Sequence, residues 1–195
     1  MNKLDDPTAE DPVDERVSYI NLKPGFHIEI YAEAQGARQM AYSETGKILY
    51  VGTRNRGDGK VFAVQDTDGD YKADVVKVIA EGLNQPNGVA LRDGDLFVAE
   101  INRILKFEDI DNNLDNPTYT VVRDDFPTDR SHGWKYIKFG PDGKLYVPIG
   151  APCNTCDEGD PFAAIHRMNH DGTGLEVFAR GVRNTVGFDW DPVNN

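Results

Sequence analysis

The sequence predicts an all-β fold of the β-propeller class, and three observations carry this prediction. Three stretches of the chain align with one another, and their turn glycines, Gly46, Gly94 and Gly143, are 48 and 49 residues apart. Each stretch continues into two further segments rich in Val, Ile, Tyr and Phe, which gives four strands per repeat, as in a propeller blade. Helical periodicity occurs nowhere with comparable strength.

The repeats divide the chain into successive blades. The first 20 residues are polar and acidic, so residues 1–20 are predicted to be a disordered lead-in to a partial propeller domain at residues 21–195. The predicted blades lie at approximately 36–83, 84–131 and 132–181, and a further blade starts at 182–195.

The segment "FHIEIYAEA", residues 26–34, is one strand more than the first blade needs. In propellers a leading strand of this kind completes the last blade and closes the ring. A closed ring has four to eight blades. We therefore expect this chain to supply about three blades and flanking strands of a larger propeller.

Composition excludes several classes of partner. The chain has 33 acidic and 21 basic residues, a formal net charge of -12, which repels phosphate backbones and argues against nucleic acid. The basic residues are scattered, and no apolar run is long enough for membrane insertion. The first residues lack the basic start and apolar stretch of a secretory signal. This charge balance favours a small neutral or cationic ligand.

The two cysteines form the motif "CNTC", Cys153 and Cys156. A lone C-x-x-C motif can be a local disulfide, a redox pair or half of a zinc site. The following histidines do not match a zinc-finger spacing, and the βαβ context of a thioredoxin is absent. A structural disulfide that pins a loop is the favoured interpretation, and free thiols and a metal site are the alternatives.

The segment "DTDGDYKAD", residues 66–74, superficially resembles a calcium-binding loop. An EF-hand loop has Gly at its sixth position and a bidentate Glu at its twelfth, but here Tyr71 and Lys77 occupy these positions. We expect an acidic turn between strands, with weak surface binding of calcium as the alternative.

Aligning the repeats suggests a candidate site at the end of the predicted channel. Asn84, His132 and Arg183 each stand seven residues before the residue that precedes the blade's first turn. Because equivalent positions of consecutive blades meet at the hub, their side chains should converge. A neutral imidazole can accept a proton and a guanidinium can stabilise negative charge, with Asn184 beside it. The alternative is a His and an Arg that only satisfy loop carbonyls.

The segment "HGWKYIKFGPDGKLYVPIG", followed by "GAPCNTC" and "RGVRNTVGF", resembles the soluble pyrroloquinoline quinone (PQQ)-dependent sugar dehydrogenases. The likeness is to the glucose/sorbosone dehydrogenase family and its sorbosone dehydrogenase-like branch, over about residues 26–192. The resemblance implies a six-bladed propeller that binds PQQ and Ca²⁺ and oxidises a sugar, aldose or sorbosone-like substrate. It also implies that the protein is periplasmic or secreted. The sequence does not indicate the electron acceptor.

The resemblance also implies residue roles. His132 would be the general base, and Arg183 would lie against the quinone with Asn184 beside it. Gln85 approximately matches a cofactor-binding glutamine of the family, although Asn84 holds the strictly equivalent position. Thr185 stands where members often have Pro. The family's calcium ligands follow the point where this chain stops, so no metal ligand is predicted within it.

Two further functions compete with this one. The stretch "LNQPNGVALRDGDLFVAE" suggests a calcium-dependent lactonase of the gluconolactonase type. Such an enzyme needs carboxylate and amide ligands at the channel mouth, where Arg183 would oppose a cation. The third candidate function is that of a non-catalytic propeller that binds another protein, because this fold hosts many functions.

Overall fold

The computed structural model describes residues 14–193, which contain three four-stranded antiparallel sheets. The first sheet consists of β1 (Ala37–Tyr42), β2 (Ile48–Thr53), β3 (Gly59–Gln65) and β4 (Val75–Leu83). The second consists of β5 (Gly88–Arg92), β6 (Asp95–Ala99), β7 (Ile104–Phe107) and β8 (Thr120–Arg123). The third consists of β9 (Lys138–Phe139), β10 (Leu145–Ile149), β11 (Ala164–Met168) and β12 (Glu176–Arg180). The predicted all-β architecture with four strands per repeat is confirmed.

The chain runs through each sheet from one edge to the other, so every neighbouring pair of strands is joined directly. The turn glycines Gly46, Gly94 and Gly143 join the first two strands of each sheet, and all three have positive φ, which glycine adopts without steric cost. We call the end of the sheets with these turns the turn end. The opposite end, which carries the loops β2–β3 and β10–β11 and the segments before β5 and β9, is the loop end.

The sheets are arranged around a shared hub. β1 packs against β5, and β5 packs against β9, so the first strands of the three sheets are neighbours. Gln39 of β1 joins all three, since its Nε2 donates to the carbonyl oxygens of Val89 (2.8 Å) and Ile137 (2.7 Å). Its Oε1 accepts a third hydrogen bond from the Ile137 amide at 3.0 Å. One buried side chain therefore fixes the register of the inner strands.

Apolar side chains fill the two spaces between neighbouring sheets. One cluster, which includes Tyr50, Val61 and Leu105, lies between the first and second sheets. The other, which includes Phe97 and Val147, lies between the second and third. Every residue of β10 is buried, whereas β12 alternates between exposed and half-buried residues. The second strands are covered on both faces, which explains their continuous apolar sequences.

The structure differs from the sequence prediction at the two ends of the chain. Residues 26–34 form no strand, and the Tyr31 carbonyl instead accepts a bond from the Ala73 amide at 2.9 Å. Of the segment 182–195, predicted to begin a further blade, the described residues 182–193 also form no strand. A strand requires a continuous ladder of partners for its backbone groups, and residues 14–193 supply no such ladder here.

Part of the predicted disordered lead-in is ordered. Residues 1–13 lie outside the described residues, but the Val17 amide donates to the Asp14 carbonyl and the Ile20 amide to the Val17 carbonyl, both at 3.0 Å. Arg16 pairs with Asp14 at 2.7 Å and also contacts Glu33. From residue 14 to residue 193, no helix is both long and apolar enough to cross a membrane.

We predict that Gln39→Ala lowers the free energy of unfolding by about 2–4 kcal/mol, because three buried hydrogen bonds are lost and their backbone partners are left unpaired. Equilibrium denaturation in urea measures the change. Gln35→Ala, at an exposed position just before β1, serves as the control and should change stability little. Equal stability of the two variants would contradict the role of Gln39 at the hub.

Candidate functional site

The structure brings His132 and Arg183 together at the loop end, on either side of Ala151. His132 lies in the segment before β9, Arg183 follows β12, and Ala151 follows β10. His132 Nδ1 is 2.8 Å from the Ala151 carbonyl oxygen. The Ala151 amide donates to the Arg183 carbonyl at 2.8 Å. A single residue just after β10, Ala151, thus bonds through its carbonyl oxygen to His132 and through its amide to Arg183.

The Ala151 contact determines the protonation pattern of the His132 ring. A carbonyl oxygen can only accept a hydrogen bond, so Nδ1 must carry the hydrogen. In the neutral imidazole Nε2 then has the free lone pair. Among residues 14–193 no group donates to Nε2, and the side chain is half-buried. His132 is therefore arranged to accept a proton at Nε2.

Gly150 makes this arrangement sterically feasible. A Cβ at residue 150 would approach both the Cβ and the carbonyl oxygen of His132 to 2.5 Å. His132 itself has φ of 51°, a left-handed conformation that costs energy in a residue with a side chain. The close packing against Gly150 and the bond to Ala151 hold it there.

Arg183 is exposed and contacts the loop that contains the two cysteines. Its Nη1 donates to Asn154 Oδ1 at 3.4 Å. Cys153 and Cys156 form a disulfide, so the favoured interpretation of "CNTC" is confirmed. Among the described residues no carboxylate lies within salt-bridge distance of Arg183, which leaves its guanidinium available to an anion.

The other residues predicted for the site lie differently. Gln85 is only 2% exposed, and its side chain donates to the Arg54 carbonyl at 3.3 Å, so it supports a neighbouring loop. Asn84 donates its backbone amide to Glu100 and does not share the Ala151 contact. Asn184 is half-buried beside the buried Thr185. The geometry groups His132 with Arg183 and sets Asn84 and Gln85 apart from them.

Sequence reasoning missed an aromatic and an arginine beside His132. The ring centroid of Trp134 is 6.2 Å from that of His132. The guanidinium carbon of Arg54 lies 3.8 Å from the Trp134 centroid, a cation–π contact. Trp134 follows His132 closely in "HGWK", which is a usable signal, but Arg54 belongs to the β2–β3 loop and has no repeat-equivalent partner.

Lys135 is a third residue that sequence reasoning missed. It is 1% exposed, and its ammonium group donates to the carbonyl oxygens of Ile101 and, at 3.0 Å, Gly133. Burial lowers the pKa of Lys135 to about 7. Because the Ile101 amide bonds to the Asn84 carbonyl, Lys135 ties the segment around His132 to the segment before β5.

A cleft of about 270 Å³ lies along the hub below Trp134. The lining residues are Arg38, Gln39, Met40, Asn87, Trp134, Tyr136 and Val186. Asn87 is 5% exposed, and its Oδ1 has no hydrogen-bond partner among the described residues. The cleft therefore adjoins the His132 site through Trp134, and the Asn87 Oδ1 atom is buried rather than open to it.

The acidic segment 66–74 forms a turn between β3 and β4, at the turn end. Asp66, Asp68 and Asp74 bring carboxylate oxygens within 4.8 Å of one another. Asp66 accepts from the Gly69 amide at 2.7 Å, and Asp74 accepts from the Thr67 amide at 2.7 Å. These carboxylates stabilise the turn and lie at the opposite end of the sheets from His132.

We predict that the stability of the protein rises between about pH 7 and pH 10 because of Lys135. The folded state releases this proton near pH 7, whereas the unfolded chain keeps it up to the ordinary pKa of 10.5, so unfolding takes up a proton in this window. Urea denaturation across this range should show a flatter pH dependence for Lys135→Met. Lys47→Met, at an exposed position, should keep the original slope.

We predict that neutral His132 carries its hydrogen on Nδ1. Nitrogen-15 chemical shifts of the histidine side chains, measured at alkaline pH, distinguish the two tautomers. His132→Gln assigns the signal. A neutral ring with the hydrogen on Nε2 would contradict the bond to Ala151.

The fold is similar to that of two solved enzyme structures. The holo form of the pyranose dehydrogenase PQQ domain from Coprinopsis cinerea matches with a TM-score of 0.72 and 14% identity, over 86% of this chain and 44% of that chain. The calcium structure of a Trichoderma reesei protein of Carbohydrate-Active Enzymes Family AA12 matches with a TM-score of 0.54 and 17% identity, over 71% and 36%. At these identities the likeness shows the fold alone, and the β-propeller class is confirmed.

A curated protein of Borreliella burgdorferi, described as uncharacterized, is 27% identical over 93% of this chain. The chain spans about half of that relative's length, 49%. The family model described as "Domain of unknown function (DUF7133)" matches residues 12–195. Membership of the sorbosone dehydrogenase-like branch stays a prediction. The chain belongs to the family described as DUF7133, a domain of unknown function.

Proposed function

We propose that the chain is part of a PQQ-dependent oxidoreductase that oxidises a sugar, aldose or sorbosone-like substrate. The carrying observation is that Ala151 bonds both to the His132 ring, with Nε2 free, and to the backbone of Arg183. The likeness of the fold to a PQQ domain supports the choice of cofactor. In this proposal other parts of the protein complete a six-bladed ring.

The residues present fit an anionic quinone. PQQ carries carboxylate groups, and the exposed guanidinium of Arg183 has no carboxylate partner among residues 14–193, so Arg183 would hold the group with Asn184 beside it. Gln85 is buried, but its Oε1 lacks a hydrogen-bond partner in the described part of the chain. In this proposal Gln85 would not contact the cofactor directly but would support the loop that carries Arg54.

The described residues do not provide a calcium site next to His132. The single group of three acidic side chains within residues 14–193 is Asp66, Asp68 and Asp74, at the turn end. Calcium binding near the quinone would depend on ligands from other parts of the protein. No step of the mechanism is therefore assigned to calcium in this chain.

PQQ, when bound, supplies a quinone that accepts a hydride from the carbon bearing the substrate hydroxyl. His132 Nε2 accepts the hydroxyl proton as the C–H bond breaks, and the substrate becomes a carbonyl compound. The bond from Nδ1 to Ala151 keeps the ring oriented and stabilises the imidazolium that forms. Arg183 places a fixed positive charge where negative charge develops.

The proposal also includes the substrate class and the location: the protein acts on a sugar, and it does so in the periplasm or outside the cell. The similar structures are a pyranose dehydrogenase domain and a member of a carbohydrate-active family, which supports a carbohydrate substrate. The Cys153–Cys156 disulfide is typical of an oxidising compartment.

We predict that the full-length protein, supplied with PQQ and Ca²⁺, reduces a redox dye with an aldose or sorbosone. His132→Gln should lower kcat by about 10²–10⁴-fold, the usual contribution of a general base. His170→Gln, at an exposed turn, is the matched control and should retain activity.

The same assay separates the competing functions. Absence of dye reduction with every substrate, or full activity of His132→Gln, would refute the proposal. Metal-dependent hydrolysis of lactones without PQQ would favour a lactonase, although Arg183 opposes a cation at this position. Binding of a protein at the loop end with neither activity would favour a non-catalytic propeller.

A further inference from the structure

We infer that Arg54, stacked on Trp134, is a second cationic group of the His132 site and binds a carboxylate of an anionic ligand. The inference deepens the proposed function and rests on it for the identity of that ligand. Arg54 has no counterpart in the repeat alignment, and its role follows from four structural observations.

The first observation is the stack itself. The Arg54 guanidinium carbon is 3.8 Å from the centroid of Trp134, and the other ring near Trp134 is His132, at 6.2 Å. Stacking fixes the plane of the guanidinium but leaves its N–H groups free to donate. A planar donor fork of this kind matches a carboxylate in a bidentate geometry.

The second observation is that the loop carrying Arg54 is held in place. The Arg54 amide donates to the Gly36 carbonyl at 3.1 Å, and its carbonyl accepts from the Gln85 side chain at 3.3 Å. The next residue, Asn55, accepts from the Gln85 amide at 3.2 Å and donates to the Gln35 carbonyl at 3.3 Å. Because the backbone is fixed, little ordering entropy is lost when Arg54 binds a ligand.

The third observation concerns charge. The protein has a formal net charge of -12, so carboxylates are abundant. Several of its arginines pair with them: Arg16, Arg92, Arg103, Arg123, Arg167 and Arg180. Within residues 14–193, neither Arg54 nor Arg183 has a carboxylate within 4.0 Å. Arg38, Arg56 and Arg130 also lack such a partner, but of these five arginines Arg54 alone stacks on an aromatic ring within residues 14–193.

The fourth observation is the cleft beneath Trp134. Arg38 lines it and adds a further cation. Arg54 comes from the first sheet, whereas Arg183 comes from the segment after the third. A ligand that reaches both cations therefore needs at least two anionic groups. The positive charge of these arginines thus favours an anionic ligand, whereas the net charge of the chain suggests a neutral or cationic one.

Isothermal titration calorimetry of the full-length protein tests this inference, with PQQ and citrate as separate probes and glucose as a neutral probe. Arg54→Gln should weaken the binding of PQQ and citrate about tenfold, and Arg54→Lys should weaken it less, because it keeps the charge but loses the planar stack. Arg56→Gln is the matched control, since Arg56 is exposed in the same loop without an aromatic or carboxylate partner. It should change affinity less than twofold.

Each outcome bears on the role of Arg54 or on PQQ as the ligand. If Arg54→Gln and Arg56→Gln weaken binding equally, or if neither PQQ nor citrate binds at millimolar concentration, the role of Arg54 is refuted. If citrate binds as tightly as PQQ and depends on Arg54, the inference holds and PQQ as the ligand fails. If PQQ binds tightly but independently of Arg54, the proposed function survives and the inference does not.

Discussion

The candidate site depends on the backbone of one residue, Ala151. Its carbonyl oxygen accepts from the His132 ring, and its amide donates to the Arg183 carbonyl. The residue before it must be glycine, since any Cβ would collide with His132. A strand end buried in the third sheet thus sets the position of two groups that are 51 residues apart in sequence.

The fold and the central pair could be predicted from the sequence because both follow from repetition. Gly46, Gly94 and Gly143 recur at nearly constant spacing. Each marks a turn whose positive φ favours glycine, so the local sequence alone predicts where the turn lies. His132 and Arg183 occupy equivalent positions in successive repeats, and equivalent positions of radially arranged sheets meet at the hub. The alignment alone therefore brought them together.

The features that the sequence did not indicate are those that break the repeat. Arg54 contacts Trp134 from a loop of another sheet. Lys135 is buried, although a lysine in a loop is normally predicted to be exposed. Residues 26–34 have the alternation of a strand, but a strand is assigned by its partner as much as by its own residues. The net charge of -12 averages over the whole surface, so it does not indicate where arginines lack a carboxylate partner within residues 14–193.

Gln39 lies between two clefts of the hub. Its side chain lines the cleft beneath Trp134 and also a second cleft toward the turn end, bounded by Tyr42, Leu91 and Phe139. The same side chain bonds to the inner strands of the neighbouring sheets. A substitution at residue 39 would therefore reshape both clefts at once, so that the cavities of the hub and the alignment of its strands cannot be altered separately at this position.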